Sequence, residues 1–337
     1  MNPSDKPPVA IIGTGLAGLA CADGLGQKFD VSLFDKSRGL SGRLSTRRAQ
    51  AHTFDHGAQY FRAESAVFQQ WLKPFEAAGH VRDWQPRHVT IAADGSKTER
   101  PDGAAKKVFV PGMSAIGKAL VAGRPHWNLY LDCGIDAVEG QAGAWMLRAG
   151  ENSFGPFEHL VFAIPPEQGL ALLPVETHFT PALAKTRMLG CHTLMLGYAA
   201  HEAPQLDWAC AHFEDDVLGF GAVNTSKPGR GEGFSLVLQT RHDWSQRHME
   251  DDIDSVSATM KARFQALTGA STQASGYNRM HRWRYVSAQV FAATPEQPYL
   301  LDTQLGLCAI GDWCLGSKVE DAFVSGMSLA TRLGGLG

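Results

Sequence analysis

No stretch of this sequence approaches the ~18 consecutive apolar residues that a membrane-spanning helix needs, so no transmembrane segment is expected. Positive charge is not in surplus either. Lysine and arginine number 31 against 34 aspartates and glutamates, and the net charge of −3 argues against a partner held by phosphate attraction, nucleic acid above all. The first residues, MNPSDKPP, lack the basic-then-apolar pattern of a secretory signal, which points to a cytoplasmic protein. No Cys-x-x-Cys pair occurs. Cys21, Cys133, Cys191, Cys210, Cys308 and Cys314 are scattered, as expected of reduced and mostly buried thiols. His242 and His248 stand six apart, a poor ligand spacing for one helix face, so no metal site is expected. No Ser-His-Asp or Cys-His constellation stands out that would supply a strong base.

What is present begins at Val9. Val9 to Ile12 is a short apolar run of the kind that forms a buried parallel strand. Gly13, Gly15 and Gly18 follow in G-x-G-x-x-G spacing, then a small-residue helix, then a second strand, Val31 to Phe34, ending in Asp35. Gly13 suits the tight turn, Gly15 leaves room for a pyrophosphate, and Gly18 lets the helix pack closely on the strand. The helix start, with Leu16 and Ala17, offers free N–H groups and the positive end of the dipole to phosphates. Asp35 is placed to accept hydrogen bonds from a ribose diol. The pattern predicts dinucleotide binding and leaves NAD and FAD both open.

At 337 residues the chain exceeds one comfortable core, so two domains are expected. After Asp35 comes KSRGLSGRLSTRR, a basic, glycine-rich segment able to wrap an anionic ligand, with Arg43 as a fork for phosphate oxygens. FDHGAQYF, Phe54 to Phe61, combines small residues that allow close approach to a flat ring with aromatic surface. Residues 62–80 read as a helix with Phe68, Trp71, Leu72 and Phe75 as its core stripe, and Asp94-Gly95 as a hairpin turn. Val108 to Val121 contains a proline-glycine turn opening a helix. Trp127 to Cys133, Ile135 to Val138 and Trp145 to Arg148 read together as a small β meander, and Leu160 to Ile164 as a buried strand.

From about residue 176 longer alternating segments appear, such as Thr193 to Tyr198 and Phe234 to Gln239, with a helix over roughly 250–267. They predict a mostly antiparallel substrate domain. Asn224 to Arg230, NTSKPGR, is a basic turn within it. Along Met280 to Tyr285, His281, Trp283 and Tyr285 alternate with Arg282 and Arg284, so the two sets face opposite sides of a strand. Leu305 to Ile310 reads as a last buried strand with Gly311-Asp312-Trp313 at its end, followed by a helix over Val319 to Leu333 with Ala322, Ser325, Gly326 and Ala330 on its packing side. The expected division is 1–61, 106–175 and 290–337 in the dinucleotide domain, with 62–105 and 176–289 in the substrate domain.

The set GTGLAG, FDKSRGLSGR, DHGAQYF, VPGMSAI, SKPGR, HRWRY and GDWC followed by VEDAFVSG spans nearly the whole chain. It resembles the FAD-dependent amine-oxidase superfamily, and within it the renalase-like branch. The resemblance implies an α/β protein with an FAD-binding Rossmann-like domain of the GR2 type and a second, mostly antiparallel α+β domain. Three departures stand out. Ser41-Gly42 replaces the usual glycine pair before Arg43, Gly316-Ser317-Lys318 departs from a more arginine-containing pattern, and Asp321 replaces a glycine near the start of the last helix, where a carboxylate suits the helix dipole but would oppose an anionic reduced flavin.

Carried onto this chain, the resemblance implies non-covalent FAD held by Gly13, Gly15, Leu16, Ala17, Gly18, Asp35, Lys36, Arg43, Gly57, Ala58, Gln59, Tyr60, Ile135, Asp312 and Val319. It also implies an oxidase that takes hydride from a dihydronicotinamide dinucleotide reduced at the 2- or 6-position. NAD(P)+ would be released and dioxygen reduced to hydrogen peroxide. Tyr60, His281, Trp283 and Tyr285 are the candidates to stack on the nicotinamide, Asn224 to reach its carboxamide, and Lys227 and Arg230 to meet substrate phosphates. The alternatives are an amine or polyamine oxidase and, from a different class, a non-enzymatic carrier on the same fold.

Overall fold

The computed structural model describes residues 6–101 and 103–335. They form two compact units, each assembled from separate stretches: 6–43, 116–188 and 288–335 in the first, 44–101, 103–115 and 189–287 in the second. The stretches 44–61 and 106–115, expected in the dinucleotide domain, cluster with the second unit, and 176–188 clusters with the first.

The first unit is built on a six-stranded sheet. Its strands lie in the order Leu300–Asp302, Leu307–Ala309, His159–Phe162, Pro8–Ile12, Asp30–Phe34 and Asn128–Tyr130. All adjacent pairs are parallel except the edge pair Leu300–Asp302 with Leu307–Ala309. Val9, Ile11, Val31, Leu33, Leu160 and Val161 have no exposure, as strands covered on both faces require. Asn128–Tyr130 is a correction to the expected meander. Trp127 to Cys133 contributes an edge strand to the parallel sheet instead, where Tyr130 stacks on Phe34 at 4.8 Å. The meander itself is Ala137–Gln141, Ala144–Ala149 and Asn152–Phe157.

From Pro8–Ile12 the chain builds outward to Asp30–Phe34 on one side, and later to His159–Phe162 on the other. The order therefore reverses beside the carboxyl end of the first strand, where ligands bind in open α/β sheets. Two helices, Leu16–Leu25 and Val319–Gly334, pack against each other here. Their closeness depends on Gly326, where a Cβ would lie 2.1 Å from the Ala17 carbonyl oxygen.

The second unit is a seven-stranded sheet in the order Tyr277–Val290, Arg187–Tyr198, Phe234–Thr240, Leu218–Val223, Cys210–Phe213, His88–Ile91 and Lys97–Glu99. It is antiparallel wherever consecutive hairpins form it. The exception is Cys210–Phe213 alongside His88–Ile91, a parallel pair that joins the unit's two stretches of chain. Helix Ile253–Thr268 lays Val256, Met260 and Phe264 into a core with Leu194, Leu196, Leu236 and Leu238. Asp252 caps its start through the Ser255 N–H, and Gly269 ends it at φ 70°. Helix Ala66–Ala77 buries Phe68 and Leu72 fully, while Trp71 and Phe75 of the expected stripe are half-buried.

Gly326→Ala should lower stability by about 1–3 kcal/mol, because the added methyl meets backbone that cannot yield. Gly334→Ala, with nothing within 4 Å of the added carbon, serves as the control. Urea midpoints should fall for the first and hold or rise slightly for the second.

Candidate active site

The glycine turn of the first unit is tightly constrained on one side and open on the other. Gly13 has φ 109°, donates its N–H to the Phe34 carbonyl at 2.7 Å, and would place a Cβ 2.4 Å from the Ala163 oxygen. A Cβ at Gly18 would sit 2.1 Å from the Gly13 oxygen. At Gly15, the residue before helix Leu16–Leu25, it would meet nothing within 4 Å. Two glycines are thus needed for packing and the third borders free space at a helix start. Leu16 and Ala17 are buried, so their backbone N–H groups rather than their side chains are what the helix start offers.

The segment before Arg43 lies directly on this turn. Ser41 donates its N–H to the Thr14 carbonyl at 2.9 Å and pairs with Gly15 as an isolated parallel bridge. Ser41 has φ 85°, the left-handed region that favours glycine, which explains why a glycine suits this position. The serine compensates through its hydroxyl, which accepts the Gly117 N–H at 3.2 Å in helix Ala115–Ala122.

Arg43 and Asp312, 269 residues apart, meet in a two-pronged ion pair, NH1 to Oδ2 at 2.8 Å and NH2 to Oδ1 at 2.5 Å. Asp35 accepts the Thr14 N–H at 2.8 Å, the Thr14 hydroxyl at 2.6 Å and the Ser37 N–H at 2.8 Å. Residues 132–135 run beside it, with the Cys133 N–H on the Asp35 carbonyl. Ile135 and the exposed Lys36 are thereby brought to the same sheet edge, where a Cβ added at Gly134 would lie 3.4 Å from the Lys36 Cβ. Val319 is the first residue of its helix. Asp321, expected to oppose a reduced flavin, is turned back onto the helix start. Its carboxylate accepts the Lys318 N–H at 2.9 Å, and burial pushes its pKa up from the usual range.

In the second unit the structure departs from several expectations. Asn224, Lys227 and Arg230 surround Asp55, whose carboxylate has no exposure. Arg230 reaches Asp55 Oδ2 from Nε at 3.1 Å and NH2 at 2.6 Å, and Lys227 Nζ reaches it at 3.1 Å. Asp55 Oδ1 accepts the Thr46 hydroxyl and the Met113 N–H. Burial alone would raise the Asp55 carboxyl, but the two cations and these donors hold it below its ordinary value. Burial brings Lys227 down to about 8 despite Asp55.

The Asn224 amide is equally committed. Its oxygen takes the Asp55 N–H at 2.7 Å and its nitrogen donates to Gln59 Oε1 at 3.1 Å. Lys227 also donates to Gln59 Oε1, and Gln59 donates to the Asp55 carbonyl. Lys227 and Arg230 are therefore interior counter-ions, not phosphate contacts, and the Asn224 and Gln59 side chains belong to the same buried network. Nothing local in NTSKPGR signals this, because the partner carboxylate lies some 170 residues earlier.

Gly57 and Ala58 are half-buried, and the Gly57 carbonyl accepts Gln239 Nε2 at 3.0 Å. Tyr60 is half-buried between Trp84 and Phe220, and burial raises its pKa. His281 and Trp283 share a strand face as expected, with ring centres 4.2 Å apart. Both pack on His56, a residue the sequence reading quoted but did not use. Trp283 stacks on it and donates its indole N–H to the His56 carbonyl at 2.8 Å. Tyr285, half-buried on the same strand, is not part of this ring cluster. Arg282 and Arg284 face the other way, toward Glu250. Burial is the leading cause that pushes His56 down to about 3 and His281 to about 4, with Arg47 adding to both. At neutral pH this is an uncharged aromatic surface with imidazole hydrogen-bonding groups.

Residues 11–75 match the family model of an NAD(P)-binding Rossmann-like domain. Solved structures share the fold along almost all of the chain. A provisionally named protoporphyrinogen oxidase from Exiguobacterium sp. 255-15 superposes with a TM-score of 0.79 at 11% identity, covering 98% of each chain. Wild-type putrescine oxidase bound to putrescine gives 0.74 at 11% identity over 98% of this chain and 99% of that one. Cyclohexylamine oxidase from Brevibacterium oxydans IH-35A gives 0.73 at 12% over the same shares.

The histidines carry a pH consequence. His56, His88, His192, His212 and His281, all in the second unit, have folded pKa values of about 3 to about 4 against an ordinary 6.5, chiefly from burial. Between those values the unfolded chain binds more protons than the folded one. The histidines' contribution to stability is therefore full above pH 6.5 and falls as pH drops toward 4, by up to about 1.4 kcal/mol per pH unit for each histidine. Urea midpoints should be lower at pH 4.5 than at 5.5, and lower there than at 6.5. A flat profile would show that these imidazoles are not held neutral.

Proposed function

We propose that this chain is an FAD-dependent oxidase of the renalase-like kind, acting on dihydronicotinamide dinucleotides reduced at the 2- or 6-position. The observation that carries the cofactor is convergence in one unit. The glycine turn, the Ser41–Arg43 segment and Asp312 meet from distant parts of the chain, around a helix start with free space at Gly15. FAD fits that arrangement. The helix N–H groups and Arg43 would serve its phosphates, Asp35 its ribose, Lys36 and Ile135 the adenosine end, Asp312 the ribityl region, and Val319 the pyrimidine edge. Bound flavin would supply the redox chemistry, accepting hydride and delivering electrons to dioxygen.

The chain's own task is binding, orientation and exclusion of water. Hydride donation from a ring already reduced needs no strong base, which suits imidazoles held uncharged. His281 and Trp283, with Tyr60, would stack on the nicotinamide and fix its orientation, and Tyr285 would border it. Gly57 and Ala58 would give the flat ring room. His56 supports Trp283 through its carbonyl and acts as a positioning residue.

An amine oxidase is the second reading, favoured by the fold shared with putrescine and cyclohexylamine oxidases. An uncharged aromatic group such as His281–Trp283–His56 would also suit a cationic amine, so the substrate panel decides between the two readings. Anaerobic mixing with 2- and 6-dihydronicotinamide dinucleotides, and separately with a panel of amines, should bleach the flavin rapidly with the former. Bleaching by amines alone would overturn the proposal. A purified protein that stays colourless after FAD is added would point to a non-catalytic carrier.

A second prediction concerns the glycine turn. Gly15→Ala should leave the apoprotein's urea midpoint within ~0.5 kcal/mol of wild type while weakening FAD binding about tenfold or more. Gly18→Ala should lower the midpoint itself. Equal loss of stability in both would remove the argument from free space.

A further inference from the structure

Among the described residues, the second unit contains a group of cations with no carboxylate paired to them. Strands His88–Ile91 and Cys210–Phe213 run parallel, and the rings of His88 and His212 lie 5.1 Å apart. His212 meets Phe220 edge-on at 5.1 Å, Phe220 lies 6.3 Å from Tyr60, and Lys106 Nζ stands 5.7 Å from the Tyr60 ring. Arg62 and Arg100 belong to the same neighbourhood. Their charges and that of Lys106 reinforce burial in pushing both His88 and His212 down to about 4.

Nearby cations are paired. Lys97 and Arg87 share Asp207, Arg87 also takes Glu99, and Lys107 takes Asp83 and Glu76. Among the described residues, Arg62, Arg100 and Lys106 have no such ion pair. Arg62 donates to the Ala104 carbonyl at 3.2 Å and Arg100 to the Thr90 hydroxyl at 3.2 Å, neutral acceptors that leave guanidinium donors to spare.

Lys106 is only 4% exposed and His88 only 6%. His88 Nε2 is buried without a hydrogen-bond partner. A buried imidazole nitrogen left without a partner is costly, and an anion with several acceptor oxygens would satisfy it together with the neighbouring cations.

We propose that Arg62, Arg100 and Lys106, with His88 and His212, form an anion subsite for the pyrophosphate bridge of the dinucleotide substrate. The inference rests on the dihydronicotinamide oxidase reading. It moves the phosphate contacts from Lys227 and Arg230 to the other side of Tyr60's aromatic neighbours. Three cations suit a diphosphate, and Tyr60 links the subsite to the residues proposed to hold the nicotinamide.

The test is calorimetric titration of ADP-ribose and of inorganic pyrophosphate into FAD-loaded protein, so that the cofactor's own phosphate site is filled. Wild type should bind ADP-ribose with an affinity that falls as salt rises. Arg62→Gln and Arg100→Gln should each weaken it about tenfold, the loss expected for a charge-assisted contact. The double variant should weaken it more and flatten the salt dependence. Lys97→Gln, an exposed cation on the neighbouring strand, should change neither. Arg100 is exposed and Arg62 half-buried, so these variants should fold, which an unchanged urea midpoint verifies. Affinity within twofold of wild type in the double variant overturns the subsite, as does an equal loss in Lys97→Gln. If no dihydronicotinamide bleaches the flavin but ADP-ribose binding is lost in the variants, the subsite stands and the oxidase reading falls. If bleaching occurs and ADP-ribose ignores the variants, the reverse holds.

Discussion

A carboxylate with no exposure to water is stable only if charge is brought to it, and Asp55 organises much of the second unit by that requirement. Two cations from one turn, a hydroxyl from Thr46 and an N–H from Met113 converge on it. The turn at Asn224–Arg230, the hairpin Thr46–Ala49 with His52–Asp55, and the loop before helix Ala115–Ala122 are thereby fixed to one point. Residues 56–60, which follow Asp55 directly, inherit their positions from it. Gln59 is drawn into the network by its side chain, while Gly57, Ala58 and Tyr60 remain half-buried. The proposed substrate side of the molecule thus stands on a buried ion cluster.

The first unit is governed by a different constraint, close approach of backbone to backbone. Gly13 against Ala163, Gly18 against Gly13 and Gly326 against Ala17 leave no room for a methyl group. These contacts bring strand ends and helices near enough for Ser41, Arg43 and Asp312 to gather around the helix start. Gly15 has the opposite character, since space is left beside it. Close packing and open space are divided among glycines that look alike in the sequence.

Much of the architecture was legible because its signals are local. Runs such as Val9–Ile12 and Leu160–Phe162 declare buried parallel strands, the G-x-G-x-x-G spacing declares its turn, and Asp94-Gly95 closes a hairpin where expected. Trp127–Cys133 was misplaced because alternation specifies a strand and not its partner, and its partner is Asp30–Phe34, far upstream. The Asn224–Arg230 turn reads in the sequence as a basic turn able to meet substrate phosphates, because its buried partner is distant along the chain. Only the fold reveals that Asp55 lies within it. His88, His212 and Lys106 gave no signal at all, since they are single residues on separate strands; one parallel pairing makes His88 and His212 neighbours, and Lys106 comes from a third strand to the Tyr60 ring.

The packing of helix Leu16–Leu25 on helix Val319–Gly334 also sets the order of events during synthesis. Helix Leu16–Leu25 precedes helix Val319–Gly334 by about 300 residues, so it lacks this packing partner until that helix has been made. The parallel strand Leu307–Ala309 arrives equally late to the edge of His159–Phe162. Sequence separation of this size delays closure of the first unit, because the entropy of bringing distant segments together precedes any reward. The second unit's core stretch, 189–287, is complete before that closure can occur. The close packing around Ala17 and Gly326 in the first unit is therefore completed only once helix Val319–Gly334 has been made.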